Sequence, residues 1–214
     1  MSTARRIPST GLIAILRGLI EADAPEVGRS LYDAGFRTLE VPLNSPEPLR
    51  TISTLRTTLP ADCLVGAGTV LSVDQVRQCH EAGAQLIVSP NTNADVIRKS
   101  LHLGMQSFPG AATPSEAFAA IAAGAEHIKI FPAEQVGIGG LKAWTAVIPK
   151  GVGLIPVGGV DAANVGAWLR AGATGVGIGS ALFTPGISAE ILRQRAASIC
   201  AAWASALSPT RRSA

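Results

Sequence analysis

The stretch Thr113-Pro114-Ser115-Glu116-Ala117-Phe118-Ala119-Ala120-Ile121-Ala122-Ala123-Gly124-Ala125-Glu126-His127-Ile128-Lys129-Ile130-Phe131-Pro132 holds one complete structural unit and decides the fold. Thr113 has the side chain of a helix N-cap, Pro114 suits the first helical position, and Glu116 stands where its carboxylate reaches back to the cap. An alanine-rich run then stops at Ala123-Gly124, and glycine just past a helix supplies its left-handed cap. A short apolar strand, His127–Phe131, follows. The same grammar recurs outward along the chain. Ala34-Gly35, Ala82-Gly83 and Ala171-Gly172 close helical segments in the same way, and helix signals also mark Glu26–Leu31 and Ser72–Val76. Strands are predicted at Leu12–Arg17, Thr38–Leu43, Leu64–Gly68, Leu86–Ser89, Met105–Pro109, His127–Phe131, Leu154–Val157 and Gly175–Ile178. Their starts are about 20–27 residues apart, enough for one strand, one turn and one helix.

Alternating strands and helices build a parallel sheet with its helices outside. Eight units imply closure into a single (β/α)8 TIM-type barrel of the α/β class over residues 1–207, at the short end of the lengths usual for that fold. A doubly wound open sheet is the alternative, and it lacks the GxGxxG that would open a helix after the first strand. The polar, basic tail 208–214 is expected to be disordered.

Of the 214 residues, 47% are hydrophobic and 15% charged, which suits one domain with a large core and argues against disorder. The net charge of +3 draws on Arg5, Arg6, Arg211 and Arg212 in the tails. With no basic stripe or aromatic ladder, nucleic acid is not an expected partner, whereas small anions are weakly favoured. Cys63, Cys79 and Cys200 are odd in number and lack CxxC spacing, so they read as reduced thiols of a cytoplasmic protein. The start MSTARRIPST has no apolar core of a secretory signal, and the short apolar runs predict no membrane span. His80, His102 and His127 share no metal-ligand spacing, so no metal and no cofactor are expected.

In a barrel of this kind, chemistry sits at the C-terminal ends of the strands. Lys129 lies between two isoleucines of a strand that should be buried. Burial disfavours the ammonium, and the free amine can attack a ketone to form an imine. The plainer reading is a structural lysine paired with a carboxylate. Lys99, Lys142 and Lys150 fall in helices or loops. Glu40, a lone charge in Leu39-Glu40-Val41-Pro42, can move protons beside such an amine, or simply neutralise it. Arg17 ends the first strand on the face of Ile13 and Ile15, so alternation points it into the barrel, where its fork suits a carboxylate. Its plainer reading is an ion pair with Glu40. Two glycine clusters, Val157-Gly158-Gly159-Val160 and Gly177-Ile178-Gly179-Ser180, follow late strands. Their amides, with a helix start beyond, can make a phosphate site.

Together these pieces resemble the 2-keto-3-deoxy-6-phosphogluconate/galactonate aldolase family of class I aldolases. The resemblance runs from Ile13 to Phe183 through Ile13–Gly18, Leu39–Leu43, Gly66–Val70, Ile87–Asn91, Phe108–Gly110, Ile128–Pro132 and Val157–Gly159, in that order. It implies a homotrimer of barrels with Lys129 as the Schiff-base residue and Glu40 as general acid/base. It also implies that Arg17 and Thr69 hold a pyruvate carboxylate, that Pro90 and Phe131 shape the pocket, and that Gly158, Gly159, Gly179 and Ser180 bind phosphate. Gluconate members carry an Arg-Thr pair after the second strand and a Thr before the double glycine. Asn44, Ser45 and Val157 stand there instead, and Pro42-Leu43-Asn44-Ser45-Pro46 resembles the galactonate branch. That implies cleavage of 2-dehydro-3-deoxy-6-phosphogalactonate. The gluconate epimer or dual specificity, an imine-free phosphosugar isomerase or synthase, and a non-catalytic phosphosugar-binding barrel remain the alternatives.

Overall fold

Parallel strands run in sequence order around a ring in the computed structural model, which describes residues 11–208. The strands are β1 (Leu12–Ile15), β2 (Thr38–Pro42), β3 (Leu64–Gly68), β4 (Leu86–Val88), β5 (Gln106–Phe108), β6 (Gly110–Ala111), β7 (His127–Ile130), β8 (Gly153–Pro156) and β9 (Val176–Ile178). The helices between them are α1 (Ala24–Ala34), α2 (Pro48–Thr58), α3 (Val73–Glu81), α4 (Ala94–His102), α5 (Pro114–Ala122), α6 (Ala133–Trp144), α7 (Val165–Arg170) and α8 (Ala189–Leu207). One ladder runs β5-β4-β3-β2-β1-β9 and a second runs β6-β7-β8. They close on each other at two seams. A bridge pairs Val157, just past β8, with Gly177 of β9. At the other seam, β5 and β6 are two halves of one strand, broken at Pro109. That residue has no N–H to donate, but its carbonyl accepts from the Lys129 N–H at 2.9 Å.

The strand expected as one run over Met105–Pro109 is therefore two segments: the first pairs with β4, the second with β7. The other expected strands stand within a residue or two of their predicted ends. β1 differs most usefully, because it stops at Ile15 and leaves Arg17 outside it. The fold is the (β/α)8 barrel, not the open sheet.

Period-two alternation sorts the strand side chains into two layers. Ile13, Ile15, Leu64, Leu86, Val88, Phe108, Ile155 and Val157 fill the lumen. Their neighbours, among them Leu12, Ala14, Leu39, Val41, Val65, Ile128 and Ile130, pack outward with the helices. The helix ends obey the sequence signals. Thr113 and Glu116 form the full capping box, and the Ser72 hydroxyl accepts from the Gln75 N–H. Gly35, at φ 115°, donates its N–H to the carbonyls of Leu31 and Tyr32, a conformation that costs an L side chain dearly. Among the described residues no helix is long and apolar enough to cross a membrane. The tail expected beyond residue 208, Arg211 and Arg212 with it, lies outside the described residues, as do Arg5 and Arg6.

Close strand packing near the site depends on small residues. A Cβ on Gly66 would overlap the carbonyl of Leu86 on the adjacent strand. Gly66→Ala should therefore lower stability by about 1–3 kcal/mol, the usual range for overpacking a tight core. Urea denaturation measures this, and a loss below about 0.5 kcal/mol would contradict the packing described.

Candidate active site

β2 and β7 each carry one charged residue on the face that looks into the lumen. Lys129 is 7% exposed and Glu40 is 2% exposed, and both line a small central cavity with Ile13, Ile15, Val88 and Phe108. Burial is the main force on both. It pushes the Lys129 amine below its ordinary 10.5; the nearby Arg17 guanidinium adds to this, and the Glu40 carboxylate opposes it. Burial likewise raises the Glu40 carboxyl above 4.5, against the pull of Lys129 and Arg17. Both groups are driven towards their neutral forms, in which a lysine is a nucleophile and a carboxyl a proton donor.

The two do not touch as an ion pair. Among the described residues no salt bridge within 4.0 Å joins Lys129 or Arg17 to Glu40. Oε2 of Glu40 is buried and has no hydrogen-bond partner. Lys129 and Glu40 therefore influence each other through charge across the cavity and not through a contact ion pair. Gly68 makes room for the carboxylate, since a Cβ there would overlap Oε2 of Glu40. The sequence motif contains Gly68 but gives no sign of this duty. Above the amine, Nζ of Lys129 lies 4.5 Å from the centroid of the Phe131 ring, which covers it from the mouth side.

The mouth departs from expectation at Arg17. Its side chain is exposed, not buried in the barrel, because β1 ends at Ile15 and the chain turns at Gly18 with φ 82°. Alternation predicts a side chain's direction only while the backbone stays extended. The guanidinium rests at the rim and donates from Nη1 to Oδ1 of Asn44. The adjacent Gly18 N–H donates to Oγ of Ser45 at 2.9 Å. Two of the three positions that set the branch resemblance, Asn44 and Ser45, therefore hold the loop that carries Arg17. Thr69 is half-buried with φ 58°, a strained conformation for a β-branched residue. Its neighbour Val70 is fixed through the carbonyl, which accepts from the buried Ser89 hydroxyl at 2.7 Å. Ser89 went unassigned in the sequence, though a lone serine after an apolar run is a visible signal. Pro90 is half-buried, with its carbonyl packed against Gly110.

The two glycine clusters come together across the Val157–Gly177 bridge. Gly158 and Gly159 adopt φ 111° and 63°. Among the described residues, the N–H groups of Gly158, Gly159, Gly179 and Ser180 find no hydrogen-bond partner. Four unbonded amides at one barrel rim can receive an anion. The helix start expected beyond each cluster is displaced: α7 begins only at Val165 and α8 at Ala189, so loop amides form this seat. The side chain of Val157 is buried and packs where a Cβ on Gly177 would stand.

Lys142 and Lys150 are exposed, and Lys99 is half-buried on α4. Among the described residues no three His, Cys, Asp or Glu side chains converge as metal ligands. Burial pushes the Cys63 thiol up to about 11 and the Cys79 thiol up to about 12, which leaves both unreactive.

Residues 4–198 match the model of the aldolase family described as KDPG and KHG aldolase. The chain is 46% identical to a probable 2-dehydro-3-deoxy-6-phosphogalactonate aldolase of Rhizobium meliloti, over 90% of this chain and 91% of that one. It is 42% identical to the 2-dehydro-3-deoxy-6-phosphogalactonate aldolase of Escherichia coli, over 92% and 96%. A solved structure described as native KDPGal superposes with a TM-score of 0.91 at 40% identity, covering 97% of this chain and 99% of its own.

The coupling of the two buried charges gives a pH prediction with a definite sign. Acylation of Lys129 by a small amine-selective reagent should rise with pH through an inflection below 10.5. Glu40→Gln removes the charge that holds the amine's pKa up, so its inflection should move to lower pH. Peptide mapping of the modified lysine across pH measures this, and an upward or absent movement would refute the coupling.

Proposed function

Because this chain belongs to the KDPG and KHG aldolase family, we propose that it is a class I aldolase cleaving 2-dehydro-3-deoxy-6-phosphogalactonate to pyruvate and D-glyceraldehyde 3-phosphate through an imine on Lys129. The observation that carries this reading is the buried amine of Lys129, held towards neutrality in an apolar lumen beside the unpartnered oxygen of Glu40.

The amine adds to the C2 ketone. Glu40, in its neutral form, protonates the departing hydroxyl of the carbinolamine, and its loss as water gives a protonated imine. That imine accepts the electron pair of the C3–C4 bond as the Glu40 carboxylate takes the proton of the C4 hydroxyl. Glyceraldehyde 3-phosphate departs and an enamine remains. Glu40 returns the proton to C3, and hydrolysis releases pyruvate and restores the amine. No cofactor enters this sequence.

Arg17 and Thr69 are assigned to the carboxylate end of the substrate, with Pro90 and Phe131 as pocket walls. Gly158, Gly159, Gly179 and Ser180 are assigned to the phosphate. Holding both ends fixes the reacting carbons over Lys129, and such positioning supplies much of an enzyme's rate. Asn44, Ser45 and Val157 support the galactonate epimer over the gluconate epimer. The family resemblance supports a cytoplasmic homotrimer, and exposed apolar side chains such as Leu71 and Ile138 are available for subunit contacts.

Borohydride with pyruvate should fix one three-carbon adduct on Lys129, absent from Lys129→Ala. An adduct on another lysine, or none at all, would sink the imine mechanism, the latter in favour of an imine-free phosphosugar enzyme. Turnover on the two C4 epimers should favour the galactonate substrate, and equal rates would mean dual specificity.

A further inference from the structure

Val70 is held at both of its polar groups by the end of β4. Its N–H donates to the Val88 carbonyl at 3.2 Å, and its carbonyl accepts from the Ser89 hydroxyl at 2.7 Å. Ser89 is itself fixed. It is buried, its N–H donates to the Phe108 carbonyl at 3.1 Å, and Pro90 after it favours extended backbone. On the other side of Thr69, the Gly68 carbonyl accepts from the Leu43 N–H at 2.8 Å, just beyond β2. Thr69 therefore sits between two clamped segments, one tied to the exit of β2 and the other to the exit of β4. Its φ of 58° is one that a β-branched residue rarely takes unaided. Among the described residues neither its N–H nor its hydroxyl has a hydrogen-bond partner. Two neighbouring donors thus meet no competitor within the protein.

We infer that Ser89 is a positioning residue for the carboxylate end of the substrate: its hydroxyl, acting through the Val70 carbonyl, holds Thr69 in the left-handed conformation that offers its N–H and hydroxyl to a carboxylate. This rests on the assignment of Thr69 to that carboxylate. A carboxylate has two acceptor oxygens and is matched by two donors. The angle φ sets where Cβ lies relative to the N–H, so relaxation to a negative φ changes the angle between the two donors of Thr69. That rotation would also move the next peptide and the Val70 carbonyl with it, which the Ser89 bond opposes. Only molecules with Thr69 in the binding conformation take up the carboxylate, so the apparent affinity falls with their share once the hold is lost.

The test is the half-saturating concentration for borohydride inactivation with pyruvate and with hydroxyacetone, a three-carbon ketone without a carboxylate. In Ser89→Ala the pyruvate value should rise about fivefold, the effect of losing one ordinary hydrogen bond, while the hydroxyacetone value stays within about twofold. A general loosening of the barrel would raise both. Equal rises, or no rise with pyruvate, therefore overturn the inference. Ser89→Cys, a weaker donor of similar size, should lie between, and it carries the same test if the alanine variant fails to fold. Thr69→Ala separates the inference from the reading beneath it. If it raises the pyruvate value, the carboxylate assignment stands, and adding Ser89→Ala should then cost less than Ser89→Ala does alone. Effects that multiply in full overturn the role of Ser89 and leave that of Thr69 intact. If Thr69→Ala leaves the pyruvate value unchanged, the carboxylate assignment fails and the inference with it.

Discussion

Everything chemical in this barrel follows from placing an amine and a carboxyl group together in an apolar lumen without letting them meet. Burying a charge is expensive unless a partner compensates, and a contact ion pair is the usual relief. Lys129 and Glu40 do not take it. Each feels the other's charge, yet burial dominates both and drives both towards neutrality. A closed ion pair would be more comfortable and chemically inert. On the proposed mechanism the open arrangement keeps a nucleophile and a proton carrier available, and Gly68 leaves room for it by having no side chain where Oε2 of Glu40 sits.

Strand register sets the height of that arrangement. Lys129 pairs with Gly110 on one side and Ile155 on the other, while Glu40 pairs with Ile15 and Gly66. Two residues below the amine, His127 stacks on Phe108 at 4.8 Å and 9°. Burial lowers the pKa of that imidazole, so it closes the lumen beneath the amine as an aromatic plug and adds no second cation. Two residues above, Phe131 covers the amine. The strand and the residue that follows it thereby supply floor, buried amine and cover.

The sequence disclosed what depends on periodicity and little of what depends on loops. Four Ala-Gly helix ends and a capping box are local signals, and local signals survive into the fold because neighbouring residues alone satisfy them. Lys129 and Glu40 were legible for a similar reason, since a lone charge inside an apolar strand has few places to go. Arg17 was misplaced in depth because period two was extended past the last extended residue. The break at Pro109 was hidden because a proline at a strand end and one at a strand seam look the same in sequence. Gly68 had no signal at all. Its role lies in what a neighbour's side chain occupies, and that is a property of three-dimensional packing.

The rim and the lumen are built separately, and Asn44 shows how the mouth can be arranged without altering the lumen. Its Oδ1 accepts a hydrogen bond from Arg17, and Ser45 accepts one from the Gly18 N–H. Both side chains act as acceptors for the loop that ends β1. The arginine found at the first of these positions in gluconate-type sequences has only donors, so it cannot hold Arg17 in this way, and two guanidinium groups would repel instead. That exchange would release Arg17 to another rim position and bring a second cation to the mouth, while Lys129 and Glu40, fixed by strand register, stayed where they are. On the proposed assignments, such an exchange would shift the group that grips the substrate carboxylate while the strands below stayed unchanged.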